Sequence, residues 1–225
     1  MTQTQISVSS STEPVAINED DRVHFSIAQM QSTRLAEVKA AFPACQNILS
    51  LLQHLHSDCA DPEAATICTL EWIAGALRAA PIQTHIAFCD GQGAGKTLFT
   101  QVILKPIFGN KTRLDINGAY LPYLQFIDEL QGDFYKQMEE KILATPNTKF
   151  YDGKASALIF QTNLHIPPCP SNRIVRIARC KTPLPYDLFS EVMSEIEGKG
   201  LMTFADLLHQ IRPDTLPLPN LNAIY

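Results

Sequence analysis

His85-Ile86-Ala87-Phe88-Cys89-Asp90-Gly91-Gln92-Gly93-Ala94-Gly95-Lys96-Thr97 is the stretch that decides the fold. Its first five residues form a short, apolar, β-compatible run. Three of the chain's ten glycines follow, and a helical stretch then runs from Leu98 to Ile107. Strand, glycine loop and helix in that order open a nucleotide-binding α/β core. Glycines let the backbone turn tightly, so that successive N–H groups point at phosphate oxygens at the positive end of the following helix. On this pattern Gly91, Gln92, Gly93, Ala94, Gly95, Lys96 and Thr97 form the phosphate cradle. Lys96 reaches the β- and γ-phosphates, and the Thr97 hydroxyl ligates Mg²⁺. The full pattern is G-x-x-x-x-G-K followed by Ser or Thr, and here Asp90 stands where the first glycine belongs. A chance glycine turn before a helix is the plain alternative, and the strand and helix on either side argue against it.

Three further short apolar runs lie beyond the loop, Tyr123 to Ile127, Ala157 to Gln161 and Ile174 to Ala178. Parallel strands buried on both faces have this texture. The first run ends in Asp128-Glu129. Asp128 is placed to hold the water shell of Mg²⁺, and Glu129 to orient or deprotonate the attacking water. Such a pair after a strand is more often a solvated turn; the phosphate loop before it favours the catalytic reading. The second run leads to Asn163, an amide able to hydrogen-bond both the γ-phosphate and the lytic water. Asn before a Pro-rich loop is also ordinary turn chemistry.

Around this core the chain divides by texture. Residues 1–24 are rich in Ser, Thr and Gln and carry several acids, the composition of a flexible acidic leader. Residues 25–81 are a helical lead-in, broken at Pro43 and restarted at Asp61-Pro62. Residues 82–182 form the phosphate-loop core, 183–212 a C-terminal helical segment and 213–225 a Pro-rich tail. The expected architecture is an α/β parallel sheet flanked by helices.

The 225 residues carry a net charge of −5 and are 45% hydrophobic, which excludes disorder and a protein basic over its whole surface. No apolar run suits a membrane span and no signal-peptide layout begins the chain, so a cytoplasmic location without membrane contact is expected. The six cysteines show no C-x-x-C pair and are expected to be reduced thiols. His54, His56, Cys59 and Cys68 have a spacing that fits no common zinc site, and Leu55 and Ile67 suggest amphipathic helices there. Trp72 is expected in the core.

Taken together, Glu71-Trp72-Ile73, the phosphate loop, Phe126-Ile127-Asp128-Glu129, Ile159-Phe160-Gln161-Thr162-Asn163 and Asn172-Arg173 resemble the superfamily 3 helicase domain. The likeness is to the helicase part of phage and plasmid primase-helicases and covers about residues 65–212. It implies an AAA+ type ATPase assembled as a hexameric ring, using ATP and Mg²⁺ to move on nucleic acid. Under it Lys96 and Thr97 fall in the A motif, Asp128 and Glu129 in the B motif and Asn163 in the C motif. Arg173 falls where the family places an arginine after the C motif, to act at a neighbouring subunit's nucleotide. Asp90 and the single Arg173, followed by Ile174, depart from the usual pattern. No primase segment is present in this sequence, so such an activity would come from a separate replisome partner.

The family places its pore hairpin between the B and C motifs. Here Lys149, Tyr151 and Lys154 flank an Asp-Gly turn and are the candidate contacts to single-stranded nucleic acid, DNA rather than RNA. An ordinary exposed hairpin explains them equally well. Arg173, Arg176, Arg179 and Lys181 have no acid between them and suit either a functional stripe or a solvated face. The leading expectation is an ATP-dependent helicase or translocase of phage or plasmid DNA replication. The alternative is a nucleotide-binding interaction module of a replisome that unwinds nothing itself.

Overall fold

The computed structural model describes residues 35–78, 84–110, 112–114, 120–122, 124–128, 133–144, 157–167 and 175–211. The leader 1–24, the tail 213–225, Glu129, Arg173 and the candidate hairpin residues Lys149, Tyr151 and Lys154 lie outside them.

The strand His85–Cys89 (β1) is buried at all five positions. Its side chains alternate between two cores, as the two-residue period of a strand requires. Ile86 and Phe88 enter the larger core, and Ala87 and Cys89 the smaller one. The strands Leu124–Ile127 (β4), Ala157–Gln161 (β5) and Val175–Arg179 (β6) join β1 in a parallel sheet of order β4-β5-β1-β6. Register pairs Ile127 with Phe160, Ala87 with Phe160 and Cys89 with Arg179. All the strands therefore deliver their carboxyl ends to one edge. The short strands Thr112–Leu114 (β2) and Tyr120–Pro122 (β3) pair antiparallel as a separate ribbon, which the sequence pattern does not announce.

Helices cover both faces. On the larger side lie Leu35–Ala41 (α1), Gln46–His54 (α2) and Pro62–Leu77 (α3), together with the C-terminal helices Tyr186–Glu197 (α6) and Gly200–Gln210 (α7). A 3₁₀ turn, Pro43–Cys45, joins α1 to α2 at the expected break. On the smaller side, Phe134–Ala144 (α5) contributes Phe134, Met138 and Ile142. The lead-in helices thus share their core with β1 and the C-terminal helices.

In α3 every residue from Ala65 to Leu77 is buried, so this helix is enclosed all round rather than amphipathic. Asp61 caps it by accepting from Ala64 N–H, and Pro62 starts it. Trp72 lies in the core and donates its Nε1–H to Thr84 O at 2.7 Å, anchoring the entry to β1. Glu71 is enclosed as well; burial pushes its carboxyl up to about 7, with Arg176 acting in the opposite sense.

The helical stretch expected after the phosphate loop is present, but it is not regularly wound. Leu98–Leu104 winds as a π-helix and becomes α-helical only over Lys105–Phe108 (α4). Its Phe99 stacks edge-on between Phe88 of β1 and Phe204 of α7, with ring centroids 5.9 and 6.4 Å away. Of the basic stripe, Arg173 lies outside the described residues and Lys181 is exposed, but the two arginines on β6 do not form a solvated face. Arg176 is buried and Arg179 largely so, because β6 carries helices and loops on both its faces. Among the described residues no helix is long and apolar enough to cross a membrane.

Long-range polar contacts fix the helix ends. Glu195 of α6 accepts from the N–H groups of Asn47 and Ile48, both at 2.9 Å, at the start of α2. His56 donates Nδ1–H to Leu52 O and accepts at Nε2 from the Thr69 hydroxyl, which ties α2 to α3.

Burial lowers both His56 and His85 from 6.5 to about 4, so each folds as the neutral imidazole. Stability from this source is complete above pH 6.5 and is lost as pH falls through 4. A loss on the order of 3 kcal/mol per histidine is expected over that interval. Urea midpoints of the wild type and His56→Gln, followed from pH 7 to 4, should diverge, with the variant showing the flatter profile. Parallel profiles would remove His56 from the acid response.

Candidate functional site

The chain leaves β1 through one residue in the left-handed region. Asp90 has φ 64°, a conformation that costs most side chains energy and that Asp tolerates better than most. Asp90, standing where the pattern has its first glycine, thus takes the glycine's conformation itself. All its polar groups are used: the N–H donates to Leu164 O at 3.2 Å, the carbonyl accepts from Lys96 Nζ at 2.7 Å, and the carboxylate meets His165 Nδ1 at 2.9 Å and Arg179 Nη1 at 3.4 Å.

Gly91 then passes under the chain segment after β6. A Cβ there would lie 2.6 Å from Cys180 O and 2.9 Å from the Lys181 carbonyl, so only glycine fits without moving that backbone. At Gly95, φ is +92° and a Cβ would sit 2.8 Å from Leu51 Cδ1. The loop is therefore pressed from one side by α2 and from the other by residues 180–184, and Leu184 N–H donates to Gly93 O at 3.0 Å. Cys180, behind Gly91, keeps its thiol 3.3 Å from His54 Nε2. That hydrogen bond raises the imidazole's pKa, and with bonds from Ser57 and Thr182 it outweighs burial and lowers the thiol's.

Lys96 is 7% exposed and rests on its own loop, donating to Asp90 O and Gly91 O at 2.7 Å each. Burial holds its pKa below the usual lysine value, with nearby Cys89, Cys180 and Asp90 working the other way. Thr97 is exposed. Behind it Thr100 donates to Lys96 O at 3.0 Å and accepts from Gln161 Nε2 at 2.6 Å, so β5 supports the lysine's turn from below.

Gln92 to Leu98 form one wall of an open cleft of about 450 Å³; Asn163 projects into it, and Leu184, Tyr186 and Phe189 line the remainder. The structure therefore brings together Gln92, Gly93, Ala94, Gly95, Lys96, Thr97 and Asn163. Gly91 lies beneath the cleft rather than on its wall. Asp128 stands exposed at the tip of β4, outside the cleft lining, two strands away from β1 or about 10 Å at ordinary strand spacing. Glu129, Arg173, Lys149, Tyr151 and Lys154 lie outside the described residues.

The apolar wall is what the sequence reading missed. Tyr186 is 80% exposed and Phe189 41% exposed at the start of α6, unusual positions for aromatics with no partner surface. Pro183 and Pro185, flanking Leu184 just before them, are the one local sign of a fixed approach. His165 was equally inconspicuous, and Arg179, singled out only as part of a basic stripe, showed no sign of its partner; they lie 75 and 89 residues from the carboxylate they hold.

Gly91→Ala should force the Cys180–Lys181 backbone away from the loop, costing about 1–3 kcal/mol as an overpacking change. Denaturant unfolding reads this directly, and an unchanged midpoint would mean the close approach is not a constraint.

No family model and no curated protein matches the chain. Among solved structures it is similar to the C-terminal region of NrS-1 in an apo A form, with 19% identity, a TM-score of 0.50, and coverage of 75% of this chain and 46% of that one. A second apo structure of the same region, residues 305–718, matches at 19% identity and a TM-score of 0.49, covering 79% of this chain and 50% of that one. The chain thus spans about half the length of the structures it resembles, and the likeness is one of fold.

Proposed function

We propose that this chain binds ATP with Mg²⁺ and hydrolyses it to move along single-stranded nucleic acid, as a helicase or translocase of superfamily 3 type in phage or plasmid DNA replication. The observation that carries the reading is the cleft itself. A glycine loop with its lysine, an exposed threonine and a facing asparagine meet at the carboxyl ends of parallel strands, where open α/β sheets take their ligands.

Each wall suits one part of a nucleotide. The loop amides and Lys96 face a triphosphate, and the apolar side chains of Leu184, Tyr186 and Phe189 offer a surface for a base. The cleft's volume is within the range of small-molecule sites. Lys96 has to leave two backbone carbonyls to meet phosphate, exchanging neutral acceptors for charged ones. Asn163 is placed to hydrogen-bond the terminal phosphate or the attacking water. Thr97 and Asp128 would hold Mg²⁺, which when bound neutralises phosphate charge; an exposed hydroxyl in the cleft and an exposed carboxylate at a strand tip suit an ion carried in on phosphate oxygens. Glu129, next in sequence, is the base for water.

A hexameric ring in which Arg173 reaches the neighbouring subunit's nucleotide completes the proposal, with Lys149, Tyr151 and Lys154 touching the strand and a separate primase as partner.

Lys96→Ala should abolish tight ATP binding, whereas Glu129→Gln should bind and lose turnover, because the lysine contacts ground-state phosphates and the carboxylate acts on water only as reaction proceeds. Equilibrium nucleotide binding and phosphate release check both, and equal loss of binding would contradict the assigned roles. Turnover of the wild type should rise on adding single-stranded DNA. Binding without turnover, strand present or absent, would instead favour an interaction module.

Lys149→Ala with Lys154→Ala should weaken binding of every oligonucleotide sequence alike and flatten its salt dependence by about 0.7 in slope per lost contact. Titrations at several salt concentrations check this, and an unchanged affinity at low salt would remove the hairpin from the strand path.

A further inference from the structure

Asp90 joins two parts of the site, the phosphate loop and the loop after β5. Residues 162–166 carry Asn163 into the cleft, and three of Asp90's four contacts concern that loop. Its N–H donates to Leu164 O, its Oδ1 meets His165 Nδ1, and its Oδ2 meets Arg179 Nη1, whose other terminal nitrogen donates to Ile166 O. The fourth contact is Lys96 Nζ on its carbonyl. The residues just after Asn163 and the lysine of the phosphate loop thus meet at a single residue, which is 5% exposed: the lysine on its backbone carbonyl, the loop on its N–H and carboxylate.

We propose that Asp90 is a positioning residue that couples the phosphate loop to the Asn163 loop, holding the amide in register with whatever phosphate Lys96 engages. This deepens the hydrolysis reading and rests on it. A glycine at position 90 would supply the left-handed turn equally well and without strain. What aspartate adds is the carboxylate, and the carboxylate contacts only His165 and Arg179 among the described residues, neither of which lines the cleft. Its effect on chemistry therefore passes through the backbone of residues 164–166 to Asn163. When Lys96 leaves the Asp90 carbonyl for a phosphate, the same residue loses one of its four ties and keeps the three that set the Asn163 loop.

The test separates the carboxylate from the turn. In Asp90→Gly the loop keeps its course, so ATP affinity and KM should stay within about threefold of the wild type, while kcat should fall by about tenfold or more as Asn163 loses its tether. Asp90→Asn retains an oxygen for Arg179 and should recover part of that loss, which a merely structural role would not produce. Hydrogen exchange of the amides of residues 163–166, measured on the nucleotide-free full chain, should rise in Asp90→Gly and not in the wild type.

An unchanged kcat, or a loss confined to KM, overturns the coupling. Unchanged exchange overturns it too, whether or not the wild type turns over ATP. Raised exchange in a protein that hydrolyses no ATP at all would support the tether and reject hydrolysis, so the two readings fail separately.

Discussion

Everything in this molecule depends on β1 being closed to water on both faces. A strand buried in that way can leave the sheet only at its end, and at Cys89 there is no room for a wide turn. The adjoining backbone at Cys180 and Lys181 presses on Gly91, and Leu51 and Leu184 press on Gly95. The chain must reverse at once, through a left-handed Asp90. Burying Ile86 and Phe88 contributes about 1.5–3 kcal/mol each, more than the turn costs, so the strain is held in place by the core below it.

The same constraint makes the C-terminal helices part of the site. Pro183 to Phe189 supply the apolar wall, Leu184 hydrogen-bonds to the loop, and Glu195 near the far end of α6 caps α2, which itself supports Gly95. Lead-in, loop and C-terminal helices form a closed circuit of contacts. A cleft framed by such elements changes shape only if the frame moves.

Much of this was legible in the sequence, and the exceptions share a cause. The glycines, Lys96 and Thr97 announce themselves because backbone conformation and phosphate chemistry are local demands. Buried strands betray themselves as short apolar runs. What stayed hidden depends on partners distant in sequence. Alternating arginines on β6 suggest a wet face until Asp90 and the elements around them are in place. The enclosure of α3 cannot be told from an amphipathic pattern before the helices that surround it are known. Asp90 looked like a defect because its compensation lies on β6 and on the loop after β5. The antiparallel ribbon of β2 and β3 is too short for any period to show.

The π-helix after the loop bears on how this chain is compared with others. Its widened turns are seen where Lys105 N–H reaches back to Thr100 O, five residues earlier. A segment wound this way accommodates a residue that an α-helix of equal length would have no room for. A gapless superposition on a protein whose loop continues as a regular α-helix will therefore match well up to Thr97 and then slip. Ile103 and Leu104, which here fill the core, would be set against positions about 100° around the helix. Alignments that allow a one-residue insertion between Leu98 and Leu104 restore the correspondence, and scoring schemes that penalise gaps inside helices will understate kinship in just this region.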